Sequence, residues 1–178
     1  MIFRQPWTQA AAAIAAIAFV YCQARILRAA KGIPAWREPM LVPLIVATAL
    51  AEGGGASLLL GTATAGLWMV FALALIARLA LWHAWRRRVR TAARAQSAID
   101  AAGAVFKLCT LLPLAIALVA HASPLGEGAV RAAQVLAGAM ALAGGLWFKY
   151  TLVTRAGFNQ GFAIAHLPVR GVPRRQEA

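Results

Sequence analysis

The sequence predicts an all-α fold, a polytopic transmembrane helix bundle of about five spans. Three observations lead there. Of 178 residues, 62% are hydrophobic and only 13% charged, with a mean hydropathy of +0.70, whereas an ordinary soluble domain has about a quarter charged residues. The apolar residues gather in runs of roughly 20, the length a helix needs to cross a hydrocarbon core about 30 Å thick. Fifteen Gly and abundant Ala, with few β-branched residues in alternation, favour closely packed helices over a β-barrel.

The first span is expected at about residues 8–27. It is long, has only Arg4 on its amino side and no small-residue cleavage site before a polar sequence, so it is expected to remain as a helix and not to be removed as a signal peptide. The second, at about 40–60, follows the break GIPAWREP. Only a few residues around Gly61 separate it from the third, at about 64–85, which requires a tight antiparallel hairpin. The fourth, at about 103–120, contains Pro113 and follows the polar stretch WRRRVRTAARAQSAID, which reads as an interfacial helix or a solvated basic loop. The fifth, at about 130–153, follows the turn HASPLGEG and leaves residues 154–178 as a tail of this single transmembrane domain.

The formal charge of +13 falls between the apolar runs, not in a solvated basic domain, which argues against a nucleic-acid binder. With five alternating spans, one face receives Arg25, Arg28, Lys31 and Arg37, then Arg86, Arg87, Arg88, Arg90 and Arg94, then Arg155, Arg170, Arg174 and Arg175. The other receives Arg4 and Arg131. The positive-inside rule makes the rich face cytoplasmic, with the amino terminus outside and the carboxyl terminus inside. Arg78, Lys107 and Lys149 are placed near the cytoplasmic ends of their spans, where long side chains snorkel to the headgroups.

Glu52 is the sharpest chemical signal. It lies near the middle of the second span, where an ionised carboxylate is costly and where such residues line cavities, proton paths or substrate sites. Gly53, Gly54 and Gly55 follow it, removing side chains so that a neighbouring helix or a flat ligand can approach the backbone. The bland alternative is a Glu hydrogen-bonded to a neighbouring helix with no further role. Lys31, Trp36 and Arg37, in the loop KGIPAWREP, and Arg155 and His166, in the last segment, are candidates for contact with a partner or with headgroups. No catalytic residue is assigned. Cys22 and Cys109 lie in separate apolar stretches and offer no disulfide, zinc or iron–sulfur pattern. His83 and His121 are expected at opposite faces, so a bis-histidine haem and any other metal are not expected. Phosphate-binding loops, hydrolase elbows and H-E-x-x-H are missing from the sequence, leaving a stand-alone hydrolase without support. Trp68, Trp82, Trp85 and Trp147 read as interface anchors or packing residues.

Three segments together, residues 21–55 (YCQARILRAAKGIPAWREPMLVPLIVATALAEGGG), 81–89 (LWHAWRRRV) and 149–171 (KYTLVTRAGFNQGFAIAHLPVRG), carry a family resemblance. They resemble membrane-anchor subunits of the polysulfide reductase and dimethyl sulfoxide reductase type, the NrfD family, particularly anchors of phenylacetyl-CoA:acceptor oxidoreductase-like molybdoenzymes. The resemblance implies a non-catalytic oxidoreductase subunit of anaerobic respiration that binds no cofactor of its own. It would exchange electrons and protons between the quinone pool, its exchangeable substrate, and an iron–sulfur ferredoxin-like subunit wired to a molybdopterin catalytic subunit. Such anchors commonly have about eight spans, and this chain resembles their carboxyl-terminal part. That implies a second membrane polypeptide supplying the missing helices, or a truncated gene product. The residues alone also admit a small transporter or proton-conducting bundle in which Glu52 binds a cation or proton.

Overall fold

The structure, a computed structural model, describes residues 6–30, 32–62, 64–122 and 126–157. Every regular element among them is helical: α1 (Pro6–Ala29), α2 (Pro34–Arg37), α3 (Leu41–Leu59), α4 (Ala65–Arg88), α5 (Ala93–Ala122) and α6 (Glu127–Thr154). Five of the six are long and apolar enough to cross a membrane, so the chain is a multi-pass membrane protein.

Local chemistry sets the ends. Pro34 opens the single turn of α2 with its fixed φ, and Glu38, extended before Pro39, closes it. Gly61 carries the turn between α3 and α4 at φ +77°, and Thr64 then caps α4 by accepting from the Leu67 N–H at 3.2 Å. Four spans match the expected runs to within a few residues. The fourth starts earlier, at Ala93 and not near residue 103, because the Ala-rich polar stretch continues without a break into the apolar run. At 1.5 Å per residue α5 is about 45 Å long, so it tilts or projects past the hydrocarbon layer.

Helices α3, α4, α5 and α6 form a closed ring in which each packs on the next and α6 returns to α3. Outside this four-helix bundle, α1 lies against α3 and touches α2. The difference in burial is large: 6% of the apolar window of α1 is buried inside the protein, against 56% for α3. Ala24, Ala35, Leu41, Trp85, Phe148 and Leu152 share one core cluster, which places α2, the ends of α1, α4 and α6 and the start of α3 at one end of the molecule. That end holds the expected arginine-rich connections and is called the basic end below. A bidentate pair, Arg86 to Asp100 at 2.6 and 2.7 Å, joins α4 to α5 there. At the opposite end Arg131 of α6 donates to Leu59 O and to Leu58 O, which also accepts from the Gly61 N–H at 3.1 Å, so the arginine caps the last carbonyls of α3.

Candidate functional site

Glu52 projects from α3 towards α6, where its Oε2 accepts from Lys149 Nζ at 2.5 Å. Its side chain is 12% exposed and that of Lys149 is 36% exposed. Room for the carboxylate comes from Gly145, because a Cβ at that position would overlap Glu52 Oε1 and lie 2.7 Å from its Cδ. Gly144 does the same for a second charge. A Cβ there would lie 2.8 Å from Arg78 Nη2 and would overlap the Cβ of Cys109.

Arg78 of α4 is fully buried. Its Nη1 donates to Ala141 O at 3.0 Å, and its guanidinium lies 4.1 Å from the centre of the Phe106 ring, a cation–π contact strengthened by the lack of water. Ala141 stands one helical turn before Gly145, so the same stretch of α6 receives both Arg78 and Glu52. The two groups are near enough to interact electrostatically. One buried cation, one largely buried carboxylate and one partly exposed lysine therefore meet on the same stretch of α6. Glu52 Oε1, Arg78 Nε and Nη2 and Thr151 Oγ1 are buried without a hydrogen-bond partner among the described residues. Such groups are costly in an apolar medium and are the places where a proton, a water or a polar ligand is accommodated.

The snorkelling expected of Arg78 is corrected. Arg78 lies about 15 Å from the end of α4, and Glu52 about 16 Å from the start of α3, so they occupy similar depths. At that depth an internal carbonyl and ring are closer than any headgroup. Lys149, nearer the end of α6, turns to Glu52 instead of leaving the bundle, whereas Lys107 is exposed. The sequence by itself marks neither Arg78 nor Lys149 as a site residue. Comparing the depths of opposite charges on antiparallel spans is the signal that finds them.

The three glycines divide. A Cβ on Gly54 would come within 2.9 Å of Phe71, and one on Gly55 within 2.9 Å of Gly138 O, so both permit close helix approach. Gly53 does not, since nothing lies within 4 Å of its Cβ position. It lines an apolar cavity of about 500 Å³ between α1, α3 and α4. Glu52 is not among the residues lining this cavity; it faces α6. Helix α3 continues through all three glycines.

Trp36 is half-buried, its indole N–H donating to Leu152 O at 3.0 Å, and so fastens α2 beneath the bundle. Arg37 is exposed. The Arg155 guanidinium lies 5.7 Å from the Trp147 ring. Lys31 and His166 lie outside the described residues. Trp82 and Trp85 are buried and belong to the packing alternative, with Trp85 Nε1 donating to Ala35 O at 3.3 Å. Among the described residues no group of three or more His, Cys, Asp or Glu is placed to hold a metal.

The fold and this site define a class: a polytopic α-helical membrane protein whose four-helix bundle buries an arginine beside a carboxylate that is paired with a partly exposed lysine. Comparison with protein-family models, curated proteins and solved structures finds no match to this chain.

Proposed function

We propose that the chain is a membrane-anchor, quinone-interacting subunit of a molybdopterin oxidoreductase complex in a bacterial cytoplasmic membrane, with the basic end on the cytoplasmic side. In this reading it passes electrons and protons between the quinone pool and an iron–sulfur subunit. Two lines support it. One is the sequence resemblance over residues 21–55, 81–89 and 149–171. The other, which carries the chemistry, is the Glu52–Lys149 pair with Glu52 Oε1 buried beside it and without a hydrogen-bond partner among the described residues.

Quinol oxidation releases two protons with two electrons, and those protons need an acceptor that works inside the membrane. Glu52 is such a group. Its paired oxygen keeps it oriented on Lys149 while Oε1 has lone pairs to spare. Lys149 lies nearer the basic end and continues the polar path in that direction. Arg78, buried in α4, donates to Ala141 O one helical turn from Gly145, and so adds a polar group to the same stretch of α6. The apolar cavity against Gly53 suits the isoprenoid part of a quinone, on a different side of α3 from the carboxylate.

A small proton-conducting bundle is the second reading, favoured by the fact that all three charges belong to one chain. The unbroken course of α3 through its glycines counts against a transporter built on interrupted helices.

The test uses the complex isolated from native membranes through a tag on this chain. Iron and molybdenum are expected to co-purify in fixed ratio, and Glu52→Gln should leave both in place while slowing quinol-linked turnover by about 100-fold or more, the usual worth of a positioned acid–base group. A chain that purifies without either metal overturns the anchor reading. Wild-type turnover of Glu52→Gln across the working pH range overturns the relay alone.

A further inference from the structure

At the basic end, Pro34 and Arg37 of α2, Glu38 beyond it, and Arg88, Val89 and Arg90 at the end of α4 line a groove of about 330 Å³. Three arginines face one acid. Glu38 is already engaged by Arg88, loosely, at 3.9 Å, which leaves two positive charges in excess. Neither Arg37 nor Arg90 has a hydrogen-bond or ion-pair partner among the described residues, and all three arginines are exposed. Pro34 and Val89 add apolar wall between the charges.

We propose that this groove binds the phosphodiester headgroup of an anionic membrane phospholipid. Depth selects the ligand. The groove sits where α4 ends at Arg88 and just before α3 begins at Leu41, the level at which a bilayer presents its phosphates. Basic pockets between spans at this level attract anionic lipids, each nearby Lys or Arg adding to the binding. Guanidinium groups match phosphate oxygens two at a time, which suits arginine and not lysine at these positions. The carbonyl end of α4 and Glu38 work against an anion, but Arg88 stands beside both. The proposal needs only the membrane location of the chain and is independent of any redox role.

The experiment places the full chain in nanodiscs of phosphatidylcholine with a minor fraction of phosphatidylglycerol and counts retained lipids by native mass spectrometry. Arg37→Gln/Arg90→Gln is compared with Arg28→Gln/Arg87→Gln, which removes the same charge at the same end from exposed residues outside the groove. Expected is preferential retention of phosphatidylglycerol by the wild type and the control, reduced about tenfold in the groove variant, with an unchanged thermal midpoint. Equal losses in the two variants would mean diffuse charge and would overturn the site. Displacement of the lipid by millimolar inorganic phosphate would mark a soluble-anion site, and displacement by an acidic peptide a protein-docking site; either result overturns the lipid assignment.

Discussion

In the half of the bundle nearest the basic end, the helices are held apart by rings. Trp82, Trp85, Phe106 and Phe148 form five ring pairs with centroids between 4.8 and 5.9 Å apart, in tilted and edge-on arrangements. In the other half, Ala51, Ala137 and Ala141 fill the core with a few larger side chains, and α3 meets α6 through the backbone at Gly55 and Gly138. The charges lie at the seam. Arg78 reaches Phe106 of the first half and Ala141 of the second. The contrast shows two ways to hold helices together where lipid gives no hydrophobic drive: large polarisable surfaces in contact, or small residues that let backbones approach. A site between them is walled on both sides and has no need of a separate domain.

Breaking the aromatic half should cost most. Phe148→Ala leaves a void beside three rings and is expected to lower stability by about 3 kcal/mol, the low end for such a deletion because lipid is as apolar as the core. Thermal unfolding in a fixed detergent checks it. Gly138→Val attacks the other half, where the added atoms meet the Gly55 carbonyl and Leu59, and should cost about 2 kcal/mol by overpacking. Cysteine cross-linking between α3 and α6 should fall in parallel.

Much of this is legible in the sequence, and each exception has its own physical cause. Span number and order follow from run length, a property of one helix at a time. Before the fourth span the sequence admits an interfacial helix or a basic loop, because the arginines and Asp100 lower hydropathy without interrupting the helix; the structure continues the helix from Ala93. The partners of Glu52 are illegible for another reason. Lys149 is 97 residues away, and a pair between helices has no signature in either helix alone. Gly53 was grouped with its neighbours because three consecutive glycines look alike on paper, yet a helix turns about 100° between each, so they face different surroundings.

Two smaller effects sharpen the comparison at the seam. In a double-mutant cycle of Glu52→Gln and Lys149→Gln, the coupling energy should be about 1 kcal/mol, reduced by the partial exposure of Lys149. Zero coupling would make the contact incidental to stability. The smallest effect is at Gly53→Ala. With open space at its Cβ and a helical backbone, it should be neutral or stabilising by up to about 1 kcal/mol, in a melting series where Gly55→Ala is destabilising.

The separation of Glu52 from Lys149 also has a consequence in time. Synthesis proceeds at about 5–20 residues per second, so an interval of 97 residues lasts about 5–20 s. Through that interval α3 is complete and its acid has no lysine. Arg78, on the very next helix, is the first intramembrane cation to arrive. The carboxyl end of α3 waits too, since Arg131 follows Leu59 by 72 residues. Insertion of α6 therefore supplies the ammonium for Glu52 and the cap for α3 in one event, so a span made well after α3 is the one that locks it in place.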